Sequence, residues 1–151
     1  MKYIIDILYR FNARKVMKNK LTKIIEIANS EWGNDYGMQL NTIEDQYYAD
    51  IIIEHIKKSS QNNPIVVYII EESSLEWEDD YSMQLDEIIE KLHSKKELQQ
   101  YINYPIPNDI LNKIVNTAQK EWKNDTDMVN SVIKDEIMAY LKIIKYLEIA
   151  I

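Results

Sequence analysis

The chain contains no cysteine and only two glycines, Gly33 and Gly37. The lack of cysteine excludes disulfide bonds, thiolate zinc sites, iron–sulfur clusters and cysteine nucleophiles. Two glycines are too few for a phosphate-binding loop, which needs several of them close together. No apolar run approaches the roughly 18 residues that span a bilayer, and Asp6 interrupts the only signal-like segment. We therefore expect a cytoplasmic protein that does not enter a membrane.

Histidine is also scarce, since His55 and His93 are the only imidazoles. Neither belongs to an HExxH pattern, and Glu76-Trp77-Glu78-Asp79-Asp80 lacks the alternating ligands and the glycine of a calcium loop. The 25 acidic residues allow too many carboxylate pairs for any one of them to indicate a glycosidase site. The sequence thus predicts no catalytic residue, no metal site and no cofactor, and we expect a protein that is not an enzyme.

Basic residues are outnumbered, with 18 Lys and Arg against 25 Asp and Glu and a net charge of −7. Hydrophobic residues make up 46% and charged residues 28%, which is typical of a globular chain. A chain of 151 residues is the size of one domain. We therefore predict a single domain over residues 1–151.

The three tryptophans reveal an internal repeat of 45 residues. Each follows a glutamate, is followed by an aspartate three positions later, and by a methionine three positions after that. The members of the motif are Trp32, Asp35 and Met38, then Trp77, Asp80 and Met83, then Trp122, Asp125 and Met128. We predict repeats over about 18–62, 63–107 and 108–151, preceded by an extra N-terminal helix at 1–17.

Apolar residues before each tryptophan recur with helical spacing. In the middle repeat Val66, Ile69 and Ile70 lead to Trp77 with this spacing. The stripe also has one small position, which is Ser73 here and Ala28 and Ala118 in the other two repeats. The segment 65–70 alone would favour a strand because it is rich in β-branched residues. Since its counterparts in the other repeats have a helical pattern, we predict a helix there. Asn63-Pro64 indicates its start, with Pro64 as the first helical residue, and Pro105 and Pro107 are assigned the same role in the third repeat.

A second helix is predicted after each tryptophan, with the aspartate as its N-cap residue. Its apolar stripe in the first repeat is Tyr36, Leu40, Ile43, Tyr47 and Ile51, and in the second Tyr81, Leu85, Ile88 and Leu92. In the third it is Val129, Ile133, Ile137, Tyr140, Ile144, Leu147 and Ile151. A further short helix is predicted from Ser94 to about Tyr104. The predicted fold is all-α, with three tandem helix–turn–helix repeats in a solenoid-like stack or a compact bundle.

The recurring motif favours a structural role. Tryptophan would fill the junction of each hairpin, aspartate would accept hydrogen bonds from unpaired amides, and methionine would fill remaining space. The alternative is a recurrent pocket in which an indole and an acid bind a cationic group. The motif Glu-Trp-x-x-Asp-Tyr-x-Met-Gln resembles a short helical repeat of uncharacterised bacterial and phage proteins. That resemblance implies a helical array and no particular activity.

Between Lys58 and Lys91 the chain has no lysine or arginine. It has nine acids there, namely Glu71, Glu72, Glu76, Glu78, Asp79, Asp80, Asp86, Glu87 and Glu90. One interpretation is a solvated face that aids solubility. The other is a surface that attracts a protein with a basic surface, whereas nucleic acid would be repelled.

Taken together, these patterns favour a protein-interaction module in which all of these acids except Glu71 are the candidate binding residues. One concrete form is a phage or prophage inhibitor of a basic, nucleic-acid-binding protein. The alternative is a structural, oligomerising protein that forms a homodimer through its apolar end, Ile149-Ala150-Ile151.

Overall fold

The computed structural model describes residues 18–94 and 106–150, and these residues form helices and contain no strand. The prediction of an all-α fold is confirmed for this part of the chain. The helices are α1 (18–32), α2 (Tyr36–Ser59), α3 (Pro64–Trp77), α4 (Tyr81–Ser94), α5 (Asn108–Trp122) and α6 (Thr126–Ala150). The helix predicted at 1–17 and the short helix predicted after Ser94 lie outside the described residues. No described helix is both long enough and apolar enough to cross a membrane.

The segment 65–70 is helical and lies within α3, as predicted. Asn63 is the N-cap residue, and its side-chain oxygen accepts hydrogen bonds from the backbone N–H groups of Ile65 and Val66 at 3.1 and 3.3 Å. Pro64 follows as the first helical residue, where its missing N–H has no intrahelical partner to lose. This local start signal outweighs the strand propensity of the β-branched residues that follow.

The start of α5 differs from the prediction. Pro107 is the N-cap residue of α5 and not its first helical residue, which is Asn108. A proline side chain has no hydrogen-bond acceptor, so this helix begins without a side-chain cap. The proline preceding a helix therefore has different positions in α3 and α5.

The chain divides into two compact units, Met1–Tyr47 and Tyr48–Ile151. In the second unit α3 packs against α4, α5 packs against α6, and α4 also packs against α6. The predicted stripes of these helices supply the core, which includes Val66, Ile69, Ile70, Leu85, Ile88, Leu92, Leu111, Val115, Ile133 and Ile137. The single domain and the three repeats stay predictions.

The predicted stripe of α2 is wrong at its first two positions. Tyr36 is 73% exposed and Leu40 is also exposed. The buried residues of α2 come later, namely Tyr48, Ala49, Asp50, Ile52, Ile53 and Ile56. Two apolar stripes with helical spacing overlap in α2, and periodicity alone does not decide which of them is buried.

The predicted stripe of α6 is buried at Val129, Ile133 and Ile137 but exposed at Leu147. The last buried residue of α6 is Leu141. The two helices of this hairpin differ in length, with 25 residues in α6 and 15 in α5. The end of α6 therefore extends past the helix that covers its beginning.

Candidate functional site

The turn between α3 and α4 is held by hydrogen bonds centred on Asp80. The Asp80 carboxylate accepts a hydrogen bond from the backbone N–H of Met83 at 3.1 Å. Its own N–H donates to the carbonyl of Trp77 at 2.9 Å. Asp35 and Asp125 make the same carboxylate contact, with Met38 and Met128, at 3.1 Å in each case. An aspartate in this position satisfies an amide of the first helical turn that has no partner within the helix.

Each tryptophan is the last residue of its helix, but the side chains are less buried than the structural interpretation predicted. Trp32 is 39% exposed and Trp122 is 40% exposed, while Trp77 is partly buried. The three indoles are therefore only partly covered by the rest of the chain.

The indole N–H groups of the first two tryptophans bind the residue ten positions later. Trp32 Nε1 donates to Thr42 Oγ1 at 2.9 Å, and Trp77 Nε1 donates to Glu87 Oε2 at 3.0 Å. The residue ten positions after Trp122 is Val132, which has no side-chain acceptor. A polar residue at the tenth position is the sequence signal for these bonds, and the predicted motif did not include it.

Two of the nine acids are neutralised by lysines. Asp86 forms an ion pair with Lys134 of α6 at 2.8 Å, and Glu87 forms one with Lys91 at 2.6 Å. Burial by itself would raise the pKa of Glu87, but hydrogen bonds from neighbouring side chains, the largest from Lys91, hold this pKa below its usual value. The prediction that the nine acids have no basic partners is therefore wrong for Asp86 and Glu87. Lys91 lies four positions after Glu87, the spacing at which ion pairs form along a helix, whereas Lys134 is 48 positions from Asp86 on another helix. Only the Asp86 pair therefore had no local sequence signal.

The remaining acids of the stretch lie mostly in solvent. Exposed members occur on α3, in the turn and on α4, namely Glu71, Glu72, Glu76, Glu78, Asp79 and Glu90. Asp80 is partly buried because its carboxylate caps α4. The exposed acids on α3 and in the turn thus include half of the predicted binding residues, Glu72, Glu76, Glu78 and Asp79, while Glu90 is exposed on α4. Asp80, Asp86 and Glu87 are engaged in structural contacts instead.

The outward face of α3 also carries large apolar side chains. Ile65 is 53% exposed, Tyr68 is 61% exposed and Leu75 is 78% exposed. These side chains lie among the exposed Glu71, Glu72 and Glu76 on a helix that has no lysine or arginine. The sequence signal for this face was that Tyr68 and Leu75 lie outside the predicted core stripe. At Tyr68 the strand-like composition of residues 65–70 obscured that signal.

The corresponding faces of α1 and α5 have a different character. The residues 45 positions before and after Tyr68 are Lys23 and Lys113, and the residues 45 positions from Leu75 are Ser30 and Lys120. Ile25 and Ile27 of α1 are also exposed, beside Glu26, but α1 and α5 both contain lysines. Exposed apolar groups and acids without any basic residue therefore occur on α3 among these three helices.

The histidines do not form a reactive centre with each other. His93 Nε2 lies 3.3 Å from Gln119 Nε2 of α5, and burial lowers the pKa of His93. Burial and then the charge of Lys58 lower the pKa of His55. Within residues 18–94 and 106–150, no three histidines or acids are grouped so as to hold a metal ion. An open depression lined by residues 120–127 borders the α5–α6 turn. The expectation that the protein is not an enzyme stays a prediction.

Comparison of the chain with known protein families, curated proteins and solved structures found no match. The candidate site therefore depends on the geometry of α3 and its turn alone.

Proposed function

We propose that this protein is a non-enzymatic protein-interaction module built from three copies of a 45-residue helix–turn–helix unit. The middle copy, residues 63–107, binds a protein with a basic surface through the outer face of α3. A concrete form is a phage or prophage inhibitor that acts in the cytoplasm and occupies the nucleic-acid-binding surface of a basic protein.

The observation that carries this proposal is the combination of Ile65, Tyr68 and Leu75 with exposed glutamates on one helix face. Apolar and aromatic groups surrounded by charged residues are the usual composition of a protein interface. A face needed only for solubility gains nothing from three exposed apolar side chains. Acidic flanks would speed the approach of a cationic partner and exclude phosphate backbones.

The test uses two charge-reversal variants that alter the same pair of positions 45 residues apart. Glu71→Lys with Glu76→Lys changes the α3 face, whereas Glu26→Lys with Glu31→Lys makes the equal change on α1, and all four residues are exposed. Each variant and the wild-type chain are used as bait in a lysate of the cell that produces the protein, and captured proteins are identified by mass spectrometry.

We expect one basic protein to be captured by the wild type and the α1 variant and lost from the α3 variant. Its association rate with purified wild type should fall as salt rises, because screening acts over about 8 Å at physiological ionic strength. Equal capture by both variants, equal loss from both, or capture of no basic protein contradicts the proposal.

A second candidate function is a structural protein that forms a homodimer through the end of α6. Ile143, Tyr146, Leu147 and Ile149 are exposed there, beyond the last buried residue of the helix, Leu141. Sedimentation velocity over a range of concentrations tests it. A dimer that Tyr146→Lys converts to a monomer would support this candidate, and a monomer at all concentrations would exclude it.

A further inference from the structure

Three exposed apolar residues of α3, together with Glu72, follow the spacing with which one helix packs against another. Ile65, Tyr68, Glu72 and Leu75 are separated by three, four and three positions. At 3.6 residues per turn they occupy an arc of about 80° on the helix surface. All four are exposed, so this arc points away from the core. We call these four residues the α3 seam.

Two glutamates border the α3 seam on opposite sides. Helical geometry places Glu71 about 80° to one side of the centre of the arc and Glu76 about 60° to the other. These are the positions that form ion pairs across the contact when two helices pair along an alternating three–four stripe. Both borders of the seam are therefore acidic, and Glu72 adds a carboxylate within it.

We propose that the α3 seam binds an amphipathic helix of the partner protein, with Lys or Arg on both sides of the apolar stripe of that helix and a cation opposite Glu72. This proposal rests on the proposed function and specifies the partner surface. An apolar stripe in the partner would cover Tyr68 and Leu75, and basic flanks would pair with Glu71 and Glu76. Glu72 would be costly to bury without an opposite charge, which is why a cation must face it.

Charge argues against a second copy of α3 as the occupant. Two α3 seams packed together would bring glutamates against glutamates on both borders, and like charges across an interface are unfavourable. The outer face of α5 has Lys113 and Lys120 but a polar Thr117 between them, so it offers no continuous apolar stripe. The charges of α3 thus favour a different protein with a basic amphipathic helix.

The test uses two synthetic peptides of about three heptads with identical composition. The patterned peptide has Leu at the two stripe positions of each heptad and Lys at the flanking positions. A single Leu of the whole peptide is replaced by Lys, which supplies the cation opposite Glu72. The shuffled peptide has the same residues in an order that breaks the three–four spacing. Binding to the full chain is measured by isothermal titration calorimetry at low and high salt, and helix formation by circular dichroism.

We expect the patterned peptide to bind at least roughly tenfold more tightly than the shuffled one, which corresponds to about 1.4 kcal/mol. Leu75→Gln should remove most of that difference. The matched control Lys120→Gln, at the position 45 residues later, should leave it unchanged. Both residues are exposed, so neither variant should unfold, and circular dichroism of each variant verifies this.

Equal binding of the two peptides would overturn the helix proposal, because charge alone would then explain the attraction. The same holds if the patterned peptide does not bind, or binds Leu75→Gln as well as wild type. Self-association that Leu75→Gln abolishes in sedimentation velocity would identify a second copy as the occupant and also overturn it. None of these results changes the expected capture by the two charge-reversal baits, so failure of the proposed function is recognised separately.

Discussion

The α3–α4 and α5–α6 hairpins have the same aspartate cap at the turn but different outer faces. Asp80 and Asp125 each accept a 3.1 Å hydrogen bond from the methionine three positions later. Ser73 and Ala118 occupy the same small, fully buried position before the turn. The outer face of α3, however, has Tyr68 and Leu75 where that of α5 has lysines.

This difference shows which features a hairpin needs in order to fold and which features can vary. A capped turn and an apolar inner stripe suffice, because both hairpins have them and both pack against a neighbour. The outer face is not constrained by that packing, and its residues are free to differ between the hairpins. The exposed Tyr68 and Leu75 of α3, at positions where α5 has lysines, are therefore better explained by a partner than by folding.

The largest expected difference between the hairpins concerns their tryptophans. Trp77 is partly buried and donates to Glu87, whereas Trp122 is 40% exposed and has Val132 at the corresponding position. Trp77→Ala should lower the free energy of unfolding by about 3 kcal/mol, and Trp122→Ala by about half as much. Urea unfolding followed by circular dichroism measures both.

Trp77→Phe serves as a control for the indole N–H group. It keeps an aromatic ring and should cost about 1 kcal/mol through loss of the hydrogen bond to Glu87. Equal losses for Trp77→Ala and Trp122→Ala would contradict the view that the two turns differ in how well the indole is held.

Replacement of a buried asparagine in α6 is expected to increase stability. Asn130 is buried, and its side-chain oxygen has no hydrogen-bond partner among the described residues. The residue 45 positions earlier is Leu85, which is fully buried in α4. Asn130→Leu should raise the free energy of unfolding by about 1–2 kcal/mol, because an unsatisfied buried acceptor is removed.

Thermal unfolding measures this gain, and Leu40→Asn is the control because Leu40 has the corresponding place in α2 and is exposed. That control should change stability little. A loss of stability in Asn130→Leu would mean that the space around Asn130 is too small for leucine.

The two aspartate caps should be equivalent. Asp80→Ala and Asp125→Ala should each lower the free energy of unfolding by about 1 kcal/mol, since each removes one N-cap hydrogen bond. Asn at either position keeps an acceptor and should recover most of the loss. A difference of more than about 0.5 kcal/mol between the two alanine variants would show that the turns are not energetically alike.

Substitutions of the residue after each tryptophan should change the free energy of unfolding least. Glu78 has a φ of 46°, a conformation that favours glycine, and Gly33 has a φ of 52° at the corresponding place in the first turn. Glu78→Gly should therefore raise the free energy of unfolding by about 0.5–1 kcal/mol, because relief of backbone strain is partly offset by the extra conformational entropy that glycine loses on folding. Lys123, with a φ of 6°, lies outside this region, so Lys123→Gly should give no such gain. Equal gains in both variants would contradict the assignment of strain to Glu78.

Local signals predicted the helices and turns of the described residues well. Asn63-Pro64 located the start of α3, and each tryptophan ends a helix directly before its capped turn. These features depend on residues within a few positions of one another. A hydrogen bond from the side chain of an N-cap residue forms whenever a helix begins there, whatever lies opposite.

Signals that depend on distant residues were beyond the sequence. The overlapping stripes of α2 did not reveal that Tyr36 and Leu40 are exposed while Ile52 and Ile53 are buried. The partner of Asp86 is Lys134, 48 positions away on another helix. Glu87 also accepts a hydrogen bond from Trp77, ten positions earlier on α3. Its ion pair with Lys91, in contrast, is a local contact at a spacing that favours ion pairs along a helix.

Local sequence was enough to predict the all-α class of the described residues, the capped turns and the inner stripes of α3 and α4, because hydrogen bonding and periodicity within a helix are local properties. The packing of helices against one another set the pairing of Asp86 with Lys134, the buried stripe of α2 and the exposed apolar side chains of α3. Those outcomes depend on which helix lies opposite each face. A helix has more than one surface that could be buried, and its packing partners select among them.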